Sequence, residues 1–554
     1  MISSVFKGLW AAIGWLWWLL DGIRATLLNL LLLLVLLAIA WAVFFGGPPA
    51  VQPRTTLVLA PEGPIREQYA GSGLRASLLQ QLQGTPAARE TRLRDVLAGL
   101  DAAARDPNVE RLLLITDEFA GAGTATLREV AAAIDRFKAQ GKQVVAWGSA
   151  FDQRQYFLAA HANEVWMHPM GGVEMVGYGG RRLYLKDALD NLGVTAHVIR
   201  AGQYKNAAET YVANGPSPQT MESDKLLYDG LWTSYATGVE RARKLAPGSL
   251  QAAIDALPER LAQVGGSGAK FALKEKWVDA LKTRDQLRDA LVERGVKDGK
   301  TFRQLPFGAY LARLKPQFSG DAVGIVVAEG AIVDGAAPAG TIGGLSTAEL
   351  IRAARDDDRI KAVVLRVNSP GGSAFGAELV RRELELVRAA GKPVVVSMGD
   401  LAASGGYWIS MAADEVIADE ATITGSIGVV AMLPSAERGL EKLGLRTGGY
   451  GTSWLVGAYD VRSGLDPRLE KVIQASVDDV YGDFRQLVAG ARKRTPEQID
   501  AVAQGRVWTG AQAKERGLVD RNGSFADALN AAATRAKLPA GWRQQFLDRE
   551  PGRL

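Results

Sequence analysis

The sequence of 554 residues has no cysteine and only three histidines, His161, His168 and His197. Without cysteine there can be no disulfide, no thiolate metal site and no cysteine nucleophile. The absence is compatible with an oxidising compartment, where a free thiol is a liability. All three histidines fall in the first half of the chain. Any serine–histidine chemistry further along would have to borrow one of them, and His168, in a loop before Pro169, is the best placed. There is no excess of one charge either. A net charge of +5 is small for this length, and the basic residues form no stripe, so nucleic acid is not an expected partner. The richest run, Arg492-Lys493-Arg494, reads as a solvated helix end. A phosphate-binding G-x-x-x-x-G-K-[ST] loop is missing, since Gly295 to Thr301 has the wrong spacing. No metal-ligand cluster stands out, and no metal or cofactor is expected.

What the chain does have is one long apolar run. From Ala25 to Phe45 the clearly polar side chains are Thr26 and Asn29. As a helix this stretch spans about 31 Å, which matches a bilayer's hydrocarbon core. It is longer than a signal-peptide core, and Gly46-Gly47-Pro48-Pro49 reads as a helix stop rather than a cleavage site. Residues 25–45 are therefore expected to be an uncleaved anchor. Lys7 and Arg24 precede it, which places the N-terminus in the cytoplasm and the body outside. Residues 1–24, with Trp10, Trp15, Trp17 and Trp18, read as a cytoplasmic or interfacial segment.

The rest of the chain repeats itself. Leu57 to Ile65 (LVLAPEGPI) resembles Gly324 to Ile332 (GIVVAEGAI), Val109 to Leu114 matches Ile360 to Leu365, and Gly141 to Val145 matches Gly391 to Val395. Tyr156, Ala162, Glu164, Val165 and Gly177 correspond to Tyr407, Ala413, Glu415, Val416 and Gly428, about 251 residues on. This predicts two tandem α/β domains, 46–315 and 316–554, with the boundary near the polar stretch Lys315 to Gly320. Each copy alternates β-branched runs with amphipathic stretches. Val363–Val367 reads as a strand, Ala377–Ala390 as a helix and Val394–Val396 as the next strand. That order implies βαβ crossovers and a parallel sheet, with ligands at the strand ends.

Two loops in the second copy carry chemistry. Asn368-Ser369-Pro370-Gly371-Gly372-Ser373 follows a strand, and its glycines let backbone N–H groups turn toward a developing oxyanion. Ala402-Ala403-Ser404-Gly405-Gly406-Tyr407 sets a serine between small residues at a strand-to-helix turn, where a nucleophile is open to approach. Alone, Ser404 reads more readily as a helix N-cap; one βαβ unit after the S-P-G-G loop, it reads as a nucleophile. At the corresponding places the first copy has Gln153 and Glu118-Phe119-Ala120-Gly121, so it lacks both features. It carries instead Gly202-Gln203-Tyr204-Lys205-Asn206-Ala207, and the second copy has no lysine at the equivalent place. The missing parts are complementary. A lysine can act as base when burial lowers its pKa. Ser426, in the turn Thr424-Gly425-Ser426-Ile427-Gly428, reads equally as a hydroxyl to bond its amine and as part of a plain turn between two elements.

Together the S-P-G-G loop, the segment Met398 to Trp408, the T-G-S-I-G turn and the Y-K-x-A segment resemble the signal peptide peptidase A family (protease IV, peptidase family S49) in its long, duplicated form. The resemblance runs from the anchor to about Asp520. It implies Ser404 as nucleophile, Lys205 as general base, Ser426 as the residue that positions the lysine, and oxyanion donors near Gly371, Gly372 and Gly405. It further implies an α/β fold of the ClpP/crotonase type and a homotetramer at the outer face of the bacterial inner membrane. The substrates it implies are signal peptides and other hydrophobic, unfolded peptides. A crotonase-type acyl-CoA enzyme and a non-catalytic membrane scaffold are the rival readings.

Overall fold

A computed structural model describes residues 2–45, 50–69, 89–314 and 319–548. It divides into two units, 1–53 and 54–554. The first is a single continuous helix, Ile2–Phe45. No break separates the tryptophan-rich segment from residues 25–45. At 44 residues the helix is about 66 Å long, roughly twice the thickness of a bilayer core. Among the described residues, Gly14–Leu37 is long and apolar enough to cross a membrane, and it overlaps the expected 25–45. Within it Asp21 and Arg24 pair at 2.7 Å, one turn apart. The expected stop at Gly46 to Pro49 lies outside the described residues, as does most of the expected domain boundary.

The body holds two large sheets, one from each copy. In the first, all neighbours are parallel, in the order Gln304–Pro306, Thr55–Leu59, Val109–Ile115, Gln143–Gly148, Glu164–Met167, Ala280–Leu281. In the second the order is Val507–Thr509, Ile423–Gly425, Val394–Ala403, Ile360–Ser369, Ala322–Glu329, Arg543–Phe546, with Glu415–Ala418 and Arg521–Asn522 beside it. Only its Ile423–Gly425/Val507–Thr509 pair is antiparallel. The mixed α/β class and the duplication expected from the sequence are both present. The expected strand falls within Ile360–Ser369, and the expected helix matches Ala374–Ala389 except for Ala390, its cap.

The repeat extends to individual polar contacts. The Lys142 amine donates to the carbonyls of Ala103 and Asp106, closing the end of a helix, and Lys392 does the same to Ala354 and Asp357. The Tyr156 hydroxyl donates to Trp277 O at 2.7 Å, and the Tyr407 hydroxyl to Leu518 O at 2.6 Å. These buried groups need partners, and the same solution serves both copies.

Runs such as Ala362-Val363-Val364-Leu365 are continuously apolar because the sheet is covered on both faces. Val363, Leu365, Val394 and Val396 pack with Val380, Leu384 and Val387 of the helix Ala374–Ala389. Val364 and Val395 face the other way, onto Phe525, Leu529 and Ala532.

The two copies are tied together by a buried charge cluster. Arg366, on the strand leading to the S-P-G-G loop, is 1% exposed. Its Nε donates to Glu67 Oε1 at 2.7 Å, its Nη1 donates to Ser397 Oγ at 2.9 Å, and Nη1 also lies 2.9 Å from Glu129 Oε1. Glu67 and Glu129 belong to the first copy. Burial raises both carboxyls, Glu129 to about 7, although Arg366 pulls the other way. Arg366→Ala leaves these carboxylates buried without a counter-charge and is expected to destabilise the body by about 3–5 kcal/mol. Chemical denaturation of the purified variant checks this; a midpoint equal to wild type would refute it.

Candidate active site

Three neighbouring strands of the second sheet end side by side. Ser369 pairs with Ala402, Ala402 with Thr424, and Ala403 with Gly425. Parallel register therefore brings the loop 369–373, Ser404 and the turn 425–426 to one edge, at the carboxyl ends of the strands. Ser404 has φ 55° and ψ −120°, a sharp strand-to-helix turn that non-glycine residues seldom adopt. Its N–H donates to Gly425 O at 2.9 Å, which helps to hold it there. The small residues around it follow from crowding: a Cβ at Gly371 would stand 2.6 Å from Ser404 Cβ and 2.7 Å from Gly405 N.

Lysine reaches this edge from the other copy. Thr195–Ala201 of the first copy pairs antiparallel with Val429–Ser435 of the second, with Ala201 opposite Val429. Lys205 lies four residues past Ala201 and Ser426 three residues before Val429, so the crossing pair delivers both to the same spot. The Lys205 amine donates to Ser404 Oγ at 3.1 Å, Ser426 Oγ at 3.0 Å and Ser426 O at 2.7 Å. Three donors meet three acceptors. Lys205 is 7% exposed, and burial brings its amine down from the usual lysine range to about 8. Among the described residues no carboxylate pairs with it, which is why nothing restores the charged form.

The loop glycines divide the work. Gly371 N–H donates to Ser369 Oγ at 3.1 Å, and Ser369 Oγ in turn donates to Gly330 O at 2.7 Å. That donor is committed, so Gly371 contributes close approach rather than an N–H. Around Gly372, the Gly371 carbonyl and the Ser373 N–H bond Ile332. The Gly372 N–H consequently points away from Ile332. Gly405 opens a helix, where the first N–H groups have no intrahelical acceptor. These two donors flank Ser404 and suit a tetrahedral oxyanion.

Ser404, Lys205, Ser426, Gly372 and Gly405 line one cleft of about 540 Å³. Trp408, Val429, Val480 and Phe484 supply an apolar wall, with the Trp408 and Phe484 rings 4.9 Å apart. Arg182 and Asp224 pair at 2.8 Å at another part of the lining. No histidine lines it. His161 bonds Asp135, His168 accepts from Met170 N and His197 meets Ser435. The serine–histidine alternative thus finds no support in the geometry.

The model of peptidase family S49 matches residues 136–296 and 387–539, one region in each copy. Protease 4 of Salmonella typhi is 39% identical over 544 residues, covering 97% of this chain and 88% of that one. The chain belongs to peptidase family S49. Protease 4 of Haemophilus influenzae is 34% identical, covering 93% and 85% of the two chains. The chloroplastic serine protease SPPA of Arabidopsis thaliana is 29% identical, covering 79% and 64%. Among solved structures, a point mutant of ClpP1 from Listeria monocytogenes superposes with a TM-score of 0.25 at 15% identity, over 37% of this chain and 94% of that chain, and nothing rests on that likeness.

This S49 chain is accordingly a serine peptidase, and the acyl-CoA and scaffold readings give way to it. Its N-terminal helix fits a membrane-anchored protein. Sequence reasoning had no sign of the Ser369 clamp, of the Arg366 cluster or of the apolar wall from Val480 and Phe484. The Arg366 cluster joins residues more than 200 positions apart, the wall is a helix face whose neighbour the sequence does not name, and the Ser369 clamp depends on Gly330 being brought beside it.

Proposed function

We propose that this protein cleaves hydrophobic, unfolded peptides at a Ser404–Lys205 dyad, and that membrane-held signal peptides are its principal substrates. The observation that carries the reading is the dry lysine amine bonded to Ser404 Oγ across the two copies. Neutral Lys205 accepts the Ser404 proton as Oγ attacks the peptide carbonyl carbon. The carbonyl oxygen becomes an oxyanion, which takes hydrogen bonds from Gly372 N–H and Gly405 N–H. The C–N bond then breaks, and protonated Lys205 gives its proton to the leaving amine. Water attacks the resulting Ser404 ester with Lys205 again as base, releasing the acid and restoring the serine. Ser426 holds the amine against Ser404 throughout. In this reading residues 46–315 form the domain that supplies the lysine and 316–554 the domain that supplies the serine.

The apolar wall of the cleft favours hydrophobic side chains, and the anchor holds the enzyme beside the bilayer where such peptides collect. The positive residues before the anchor favour a body outside the cytoplasmic membrane. The resemblance to signal peptide peptidase A adds the peptide class. Between residues 443 and 461, Leu443, Tyr450, Val456, Tyr459 and Val461 are exposed, a surface suited to burial against other copies in a homotetramer. Light scattering of the detergent-solubilised protein giving a monomer would remove that part. Accessibility of the body to an added protease only after cell permeabilisation from the cytoplasmic side would reverse the orientation.

Two experiments test the core of the reading. A fluorophosphonate should modify Ser404, located by peptide mapping; modification elsewhere, with Ser404 free, overturns the nucleophile. Offered a signal peptide, a charged peptide of equal length and a folded protein, the enzyme should cleave the first at least tenfold faster than the others by kcat/KM. Equal rates for the two peptides would remove the substrate assignment and leave the dyad standing.

A further inference from the structure

The lysine is gripped by a piece of chain that is neither of its hydroxyl partners. Gln504-Gly505-Arg506, far along the second copy, runs directly beneath the segment Gly202–Lys205. Gln504 O accepts from Tyr204 N at 2.7 Å, and Gln504 Oε1 accepts from Gln203 N at 3.2 Å. The Gln504 amide is itself held by Asp500 at 2.7 Å. Gly505 touches the lysine backbone: a Cβ there would lie 2.5 Å from Lys205 N and 2.7 Å from its Cα. Its φ of 78° is in the left-handed region, so glycine is required on two counts.

The same three residues also hold the lysine's acceptors. Gly505 N–H donates to Ile427 O at 2.7 Å, and Arg506 O accepts from Ser426 N at 2.7 Å. The Arg506 guanidinium lies over the Tyr204 ring, 3.7 Å from its centroid. Arg506 also pairs with Glu222 at 2.6 Å, and Glu222 accepts from the Tyr204 hydroxyl at 2.9 Å. One short strap therefore sets both ends of the bond between Lys205 and Ser426, while touching neither the Lys205 amine nor Ser404.

We propose that the Gln504–Arg506 strap is the positioning element of the dyad, with Gly505 its critical residue and the Arg506–Tyr204 stack its lock. This rests on the Ser404–Lys205 reading. The physical reason is reach. Lys205 arrives from a different copy on a long, flexible stem, and an error of about 1 Å in such a group lowers rate roughly a hundredfold. The hydrogen bonds to Ser426 alone fix the amine but not the backbone from which it extends. A strap bonded to both backbones removes that freedom.

The test uses full-length protein in detergent. Gly505→Ala should lower kcat about a hundredfold with KM changed by less than about threefold, because Gly505 borders the cleft but the added methyl is aimed at the Lys205 backbone, where it upsets alignment. The midpoint of its pH–rate profile should move above that of wild type, since a displaced amine is less dry and less easily deprotonated. Arg506→Gln keeps the glycine turn and removes the stack and the ion pair; it should lower kcat about tenfold and shift the midpoint the same way. Arg506→Lys, which keeps the charge without the planar stack, should recover only part of this. If Gly505→Ala does not fold, the two Arg506 variants decide. Wild-type kcat and an unshifted midpoint in the folded variants overturn the proposal, as does a change confined to KM. Inactive Lys205→Ala beside unaltered strap variants rejects the strap alone. Active Lys205→Ala rejects the dyad and the strap together.

Discussion

Ser404→Ala is expected to lower kcat for peptide hydrolysis by at least about 10⁴-fold, because the other cleft hydroxyls, among them Ser426 and Ser223, do not sit on the turn between the Gly372 loop and Gly405. Removing a serine nucleophile leaves only what the oxyanion donors and binding contribute, a loss on the order of 10⁴–10⁶ in serine peptidases. The fold should not suffer. Alanine keeps the Cβ and the backbone bond from Ser404 N to Gly425 O, and it loses one hydrogen bond, worth about 1 kcal/mol. The unusual φ of 55° is no worse for alanine than for serine. The measurement is steady-state hydrolysis of a fluorogenic peptide together with a thermal melt. More than a few per cent of wild-type activity in the variant would mean that another group attacks the substrate.

Lys205→Met should be equally inactive, yet no less stable than wild type. In the folded protein burial holds the amine at about 8, against 10.5 for a free lysine. The sign follows from that depression. Above pH 10.5 the amine is neutral in both states and burial costs nothing through titration. As pH falls from 10.5 to 8 the unfolded chain gains a proton that the folded one resists, and stability declines. Below 8 the loss is complete, on the order of 3 kcal/mol. Methionine removes this penalty and gives up three hydrogen bonds, so the two effects roughly offset at pH 7. A melt of Lys205→Met many degrees below wild type would show that the lysine is structural.

The same titration predicts the wild-type pH dependence. The base works only when neutral, and at pH 7 roughly one lysine in ten is neutral if its pKa is about 8. The kcat/KM should rise nearly tenfold from pH 6 to 7 and level off above about 8. A profile that is flat from pH 6 to 9, or that levels off near 6.5, would point to a different base.

Much of the machinery could be read from the chain because it is local. Ser404 and the S-P-G-G loop each lie within a few residues of the strand that presents them. Short-range turn chemistry and β-branched runs therefore announce both. The duplication was legible for a similar reason. Copies of one fold keep the same buried periodicity, and Lys142 and Lys392 still close equivalent helices. The pairing of Lys205 with Ser404 is legible only indirectly, through what each copy lacks. No local pattern marks Lys205 as different from a surface lysine.

The N-terminal helix shows the opposite limit. Composition marks an apolar segment, but it does not show that one unbroken helix carries both the tryptophan-rich stretch and the apolar run, with Asp21 and Arg24 paired one turn apart. Likewise, glycine at 371 reads as a donor until the buried Ser369 hydroxyl is found on its N–H.

The sequence by itself determined the α/β class, the tandem copies, the apolar N-terminal segment and the residue types of the proposed dyad. Those features repeat over short distances along the chain, where spacing is enough to reveal them. Only the tertiary structure decided that Lys205 is dry, that Gly372 and Gly405 rather than Gly371 are the uncommitted donors, and that Gln504–Arg506 grips the lysine segment. The first and last depend on the antiparallel pair Thr195–Ala201 with Val429–Ser435 and on the loop beside it, which join residues more than 200 positions apart, and the second on Ser369 bridging Gly371 N–H and Gly330 O. Burial and hydrogen-bond partners are properties of that meeting, and no periodicity along either segment encodes them.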